Sequence, residues 1–122
     1  MMATPVEVRV GDDGRVRVVV DCAFGALRGV WRAAAVPVVG HLYHVELTIP
    51  GTLAHLRVRH AEPEYQVLAG VVDGVDEDGM IYLRLATDCL TMVEALPGEA
   101  VVGQELSIHV PDSVLEIWPF GV

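Results

Sequence analysis

The 122-residue chain contains no lysine and no asparagine, two serines (Ser107 and Ser113) and two cysteines (Cys22 and Cys89). Without lysine there is no Schiff-base chemistry, no P-loop with its phosphate-binding lysine and no lysine-activated serine nucleophile. Two cysteines, each inside an apolar run, are too few for a disulfide framework and read as free, buried thiols. The longest apolar run, residues 33–40, is broken by Pro37 and falls far short of the ~20 residues that cross a bilayer. Met1-Met2-Ala3-Thr4-Pro5 has neither a basic n-region nor an apolar h-region, so no signal peptide is expected and a cytoplasmic location is. The patterns GxGxxG, CxxC, HExxH and GxSxG are also missing.

Positive charge is scarce and unevenly placed. Eight arginines face 17 acids, for a formal net charge of −9. Residues 1–60 hold seven arginines and five acids, a balance of +2, whereas residues 61–122 hold Arg84 against twelve acids, a balance of −11. A net charge of this sign argues against general nucleic-acid binding, whose main source of affinity is phosphate neutralisation. The asymmetry points instead to an acidic surface that steers a basic partner. The plainer alternative is acidity that serves solubility, in an Arg- and Ala-rich chain.

What is present is period-2 alternation along most of the chain, with little 3.6 periodicity. Val6, Val8 and Val10 alternate with Glu7 and Arg9, residues 11–14 turn the chain, and Val16, Val18 and Val20 alternate with Arg15 and Arg17. This predicts a hairpin whose outer face pairs Glu7 with the arginines across strands. Gly25 and Gly29 weaken the helical reading of Phe24, Leu27, Trp31 and Ala34, so a strand is expected over residues 29–34.

Further strands are expected with Tyr43, Val45, Leu47 and Ile49 inward, around Leu56 and Val58, from Tyr65 to Val75, over 80–87, over 92–96, over 104–110, and over 114–118, the last pairing back on its predecessor. Gly70 inside the long strand signals a bulge or a barrel bend. Eight to ten short, mostly antiparallel strands in a chain of this length predict an all-β fold, a single small β-barrel over residues 1–122. Asp-Gly, Arg-x-x-x-Asp-Cys, Val-Val-Gly and Glu-Leu-x-Ile recur in order (Arg17/Asp21 and Arg84/Asp88 among them), which raises a duplication of residues 1–60 as 61–122; shared hairpin grammar explains the same pattern.

Residues 67–118 run as a strand with an internal glycine, the acidic turn Asp76-Glu77-Asp78-Gly79, a second strand, Gly98 and Gly103 before a penultimate strand, and a last strand at Val114–Trp118. The order resembles OB-fold and TOBE-type small barrels. That resemblance implies a five- or six-stranded barrel whose open face or loops bind a ligand. The basic, aromatic-lined groove of single-strand binders is missing from this stretch, and such a use falls to Arg15, Arg17, Arg28, Arg32, Arg57 and Arg59 in the first half.

Two sets of side chains are candidates for function. His44 and Glu46 point to one side of a strand, and His55 from the next strand completes a His/His/carboxylate set suited to zinc (His60 is the alternative third ligand); a solvated strand face explains the same residues. Asp73, Asp76, Glu77 and Asp78 lack calcium-loop spacing and read as an acidic turn, with Tyr82 and Trp118 as exposed aromatics. The sequence therefore predicts a non-catalytic module that binds a basic protein partner or its own copy, an inhibitor or immunity-type protein being one concrete form, with no cofactor. A metal-binding barrel enzyme built on His44, Glu46 and His55 is the alternative.

Overall fold

Alternation in the first fifty residues rolls the chain into a barrel. The computed structural model describes residues 1–58 and 64–120, which form nine strands and one short helix. Five strands close the barrel in the order β1 (Met2–Val10), β2 (Val16–Cys22), β3 (Gly25–Trp31), β9 (Glu116–Pro119) and β4 (Tyr43–Thr48). Closure is made by Met2 and Ala3 of β1 lying opposite His44 and Tyr43 of β4. Between β4 and β9 the chain makes helix α1 (Leu53–Leu56) and a four-stranded antiparallel sheet. That sheet contains β5 (Tyr65–Val75), β6 (Ile81–Ala86), β7 (Cys89–Val93) and β8 (Glu105–Pro111). Its order, β7-β6-β5-β8, is a three-stranded meander with the fourth strand returned beside the first, a Greek key.

One hydrophobic cluster joins the two layers. Val18, Val20, Leu27, Val45 and Leu47 from the barrel meet Leu68, Val72, Ile81, Leu83, Ile108 and Val110 from the sheet, with Leu53, Leu56 and Leu115 among them. Burying such a side chain contributes ~1.5–3 kcal/mol each. The seam is pinned by polar contacts: Thr91 Oγ1 donates to Leu47 O at 3.1 Å, and Leu53 N–H donates to Glu94 O at 2.7 Å. Thr91 is the one buried polar residue among the described residues.

Several expectations need correction. Residues 29–34 do not bound a strand: β3 starts at Gly25 and stops at Trp31. Leu56 and Val58 do not form a strand either. Thr52 caps α1 by accepting the His55 N–H, and Leu53 and Leu56, one helical turn apart, are both buried. The last strand does not pair with β8. It crosses back to the barrel, where it lies parallel to β3 and antiparallel to β4.

The inward face of β1 also differs. A bulge at Val6 between Pro5 and Glu7 shifts the alternation, so Met1, Ala3 and Pro5 point inward before it and Val6 and Val10 are exposed. Gly70 is not a bulge; in β5 the irregularity falls between Val72 and Gly74. Gly70 is bare because β6 comes close: a Cβ there would lie 2.6 Å from Arg84 O. The repeated segments take different places, since Asp21 and Cys22 end β2 whereas Asp88 lies in the turn before Cys89 opens β7.

Candidate interaction surface

The solvent face of the inserted sheet departs from the usual apolar-in, polar-out pattern of an antiparallel layer. In register across the strands, Glu105, Val71, Arg84 and Leu90 form one row, and Gly74, Tyr82 and Met92 form the next. Leu90 is 45% exposed and Met92 54%. Val67 and Val71 are exposed further along the same face of β5. Tyr82 is half-buried and shares its face with Arg84, opposite the fully buried Ile81 and Leu83.

The acidic candidates surround this face in different ways. Asp73 is tied to Arg84 at 3.0 Å, and that hydrogen bond holds its carboxyl below the usual carboxylate range. Asp76 serves the β5–β6 turn: its Oδ1 accepts the N–H groups of Asp78 (2.9 Å) and Met80 (3.0 Å). Glu77 and Asp78 are exposed beside it, and Asp88 is exposed in the β6–β7 turn at the other end of the hairpin. Arg84 is neutralised by Asp73 and also donates to Thr87 O at 2.8 Å, so the one cation of the face among the described residues is engaged.

Trp118 stands on the barrel, not with the acidic turn. It is exposed on β9 opposite Glu46 of β4, with the Arg32 guanidinium 5.5 Å from its ring centroid. Its neighbour along this face is Phe120, which packs on His44 at 4.2 Å between ring centroids. His44 and Glu46 thus lie on the outer face of β4 beside Trp118 of β9 and Phe120 just beyond it. His55 lies on α1, not on the next strand, and no group of three or more His, Cys, Asp or Glu among the described residues is placed to hold a metal ion. His60 lies outside the described residues.

Four of the seven arginines of the first half are held in ion pairs, and Arg17, Arg28 and Arg32 are three of the six on which a groove for phosphates would depend; Arg59 lies outside the described residues. Arg9 meets Glu7 at 3.1 Å, Arg17 meets Asp13 at 3.0 Å, Arg28 meets Asp112 at 2.8 Å and Arg32 meets Glu116 at 2.9 Å. The expected cross-strand pairing of Glu7 with Arg15 and Arg17 is replaced by pairing within β1, because Arg9 lies directly opposite Arg17 and Glu7 opposite Val19. A cleft of about 330 Å³ on this side is lined by Arg9, Arg17 and Arg28 together with Glu7, Glu64 and Asp112, so its charges balance. Both cysteines are free, and burial raises both thiols, Cys89 to about 11.

A second cleft, of about 380 Å³, runs along the seam where β4 meets β7. Its lining includes Glu46, Thr48, Met80, Leu90, Met92 and Glu94 and, among the described residues, no basic side chain. Sequence reasoning placed Glu46 with a metal and missed Glu94 altogether. Their proximity to one cleft depends on how the sheet docks on the barrel, which no local pattern records. Among the described residues no helix is long and apolar enough to cross a membrane. Compared with family models, curated proteins and solved structures, the chain matches none.

Proposed function

We propose that this chain is a non-catalytic interaction module whose inserted sheet docks on a basic protein partner. The observation that carries the reading is the solvent face of that sheet. Val71, Leu90 and Met92 stand exposed there in adjoining rows with Tyr82, while the acidic turns 76–78 and 87–88 lie at its two ends. Exposed apolar side chains grouped on one face mark an interaction site, and acids at its margin raise the encounter rate with a cationic surface. An inhibitor or immunity-type protein that covers a basic active site is one form of such a module.

The barrel supports an OB-type reading of the fold, as a fold-level analogy, but on other residues than expected: it is built from β1–β4 and β9, whereas residues 67–111 of the stretch 67–118 lie in the separate sheet and its turns. It has five strands, and the insertion falls between the fourth and fifth of them, a connection that serves ligand binding in OB-folds. The whole Greek-key sheet then takes the place of that binding loop.

The test is affinity capture with the wild-type chain and the variant Leu90→Glu/Met92→Glu in parallel. The reading predicts a basic protein held by the wild type at low salt, released as salt rises, and not held by the variant. Capture unchanged by the double substitution overturns it. Self-association through the same face is read separately, as a concentration-dependent mass in light scattering, and would replace the basic partner by a second copy.

A further inference from the structure

We infer that the cleft between β4 and β7 is the anchor pocket for an arginine or lysine side chain of the partner. The inference rests on the proposed reading of the sheet face and assigns one site within it. The cleft, about 380 Å³, is large enough for a long side chain. Met80, Leu90 and Met92 supply apolar surface for an aliphatic stem, and Glu46 and Glu94 supply charge for its cationic end. Long basic side chains bury their methylenes and keep the charged head polar, which is the division of surface found here. Methionine adapts its shape to an incoming group more readily than branched side chains do.

Charge complementarity favours this occupant. The carboxylates of Glu7, Asp13, Asp73, Asp112 and Glu116 are consumed by arginines of the chain itself. Glu46 and Glu94 are in none of these ion pairs, and no basic residue among the described residues lines the cleft. Its walls are also held in place before any ligand arrives. Thr91 bonds β7 to Leu47 of β4, and the Glu94 carbonyl accepts the Leu53 N–H. A preformed site loses less freedom on binding than one that must be ordered. Leu90 and Met92 belong both to this cleft and to the exposed sheet face, so an anchored side chain continues directly into the docking surface.

The experiment uses the full ¹⁵N-labelled chain and a capped Leu-Arg-Leu peptide, followed by amide chemical shifts. Changes are expected at Glu46, Thr48, Leu90, Met92 and Glu94. Replacing the arginine by neutral citrulline, or the protein by Glu46→Gln/Glu94→Gln, should each weaken binding about tenfold. Both glutamates are exposed, so the double variant keeps the wild-type melting temperature. Shifts confined to the 76–78 turn, or equal binding of the citrulline peptide, overturn the assignment. Saturable binding of spermidine with no response to the peptide also overturns it, in favour of a small polycation site. If the cleft ignores the peptide while Leu90→Glu/Met92→Glu still abolishes capture of a basic protein, the anchor falls and the sheet-face reading stands.

Discussion

Thr91 joins the two layers of the molecule through a single side-chain hydrogen bond. Valine has nearly the same shape but no donor, so Thr91→Val leaves the Leu47 carbonyl short of a partner in a buried seam. The expected cost is about 1–3 kcal/mol, read as a lower denaturant midpoint with an unchanged m-value. An unshifted midpoint would show that the bond does not hold the layers together.

The cysteines make a second residue-scale prediction. With the Cys89 thiol pushed up to about 11 by burial, the reactive thiolate is nearly absent at neutral pH. Thiol reagents should therefore modify the native chain slowly and the unfolded chain fast. Because the folded-state value is raised, the associated stability is full below the ordinary thiol range. It is lost as pH climbs from there toward 11. On the acid side the sign reverses: Asp13 and Asp73 are lowered by their bonds to Arg17 and Arg84, so their contribution fades as pH falls below the usual carboxylate range. Both are fully exposed, so solvent screening keeps that acid limb shallow and the alkaline limb the steeper one.

At the scale of elements, β5 was legible to its ends, since a nearly continuous apolar run over Tyr65–Val75 is bounded by Glu62-Pro63-Glu64 before it and by Asp76-Glu77-Asp78-Gly79 after it. The face of β4 was legible from its alternation: Val45, Leu47 and Ile49 are buried as their spacing requires. Helix α1 was not, because one turn offers only two apolar residues, Leu53 and Leu56, while Leu56 with Val58 fits the period of a strand. The parallel pairing of β3 with β9 joins residues more than eighty positions apart, and local alternation has nothing to say about it. Gly70 was noticed for a bulge and proved to mark a close approach. Gly70→Ala places a methyl 2.6 Å from Arg84 O and 3.0 Å from Leu83 Cγ, forcing β5 away from β6. The expected loss is about 1–3 kcal/mol, accompanied by faster amide exchange in β6 than in the barrel strands β2 and β3. Equal acceleration everywhere would mean a global effect and not a strained pairing.

At the scale of the whole molecule, the charge division in the sequence follows the division of the fold. The acid-poor first half builds four of the five barrel strands, and four of its seven arginines are paired with carboxylates. The second half, at −11, builds the inserted sheet and returns one strand to the barrel. The separation of sign was readable from residue counts. That it separates two layers, and that Glu46 of the barrel joins Glu94 of the sheet at their seam, required the docking of one on the other. Association with a basic partner should accordingly slow as ionic strength rises through the range where the Debye length falls from about 30 to 8 Å, while dissociation changes less.

The central claim is that the inserted sheet with the seam it forms on β4, and not the β1–β3 side of the barrel, is the surface that meets a partner. Hydrogen-exchange mapping of the complex tests it most directly. The account predicts slowed exchange in β6, β7 and the turns at 76–78 and 87–88, with β2 and β3 unchanged. Protection confined to β1, β2 and β3 would contradict it.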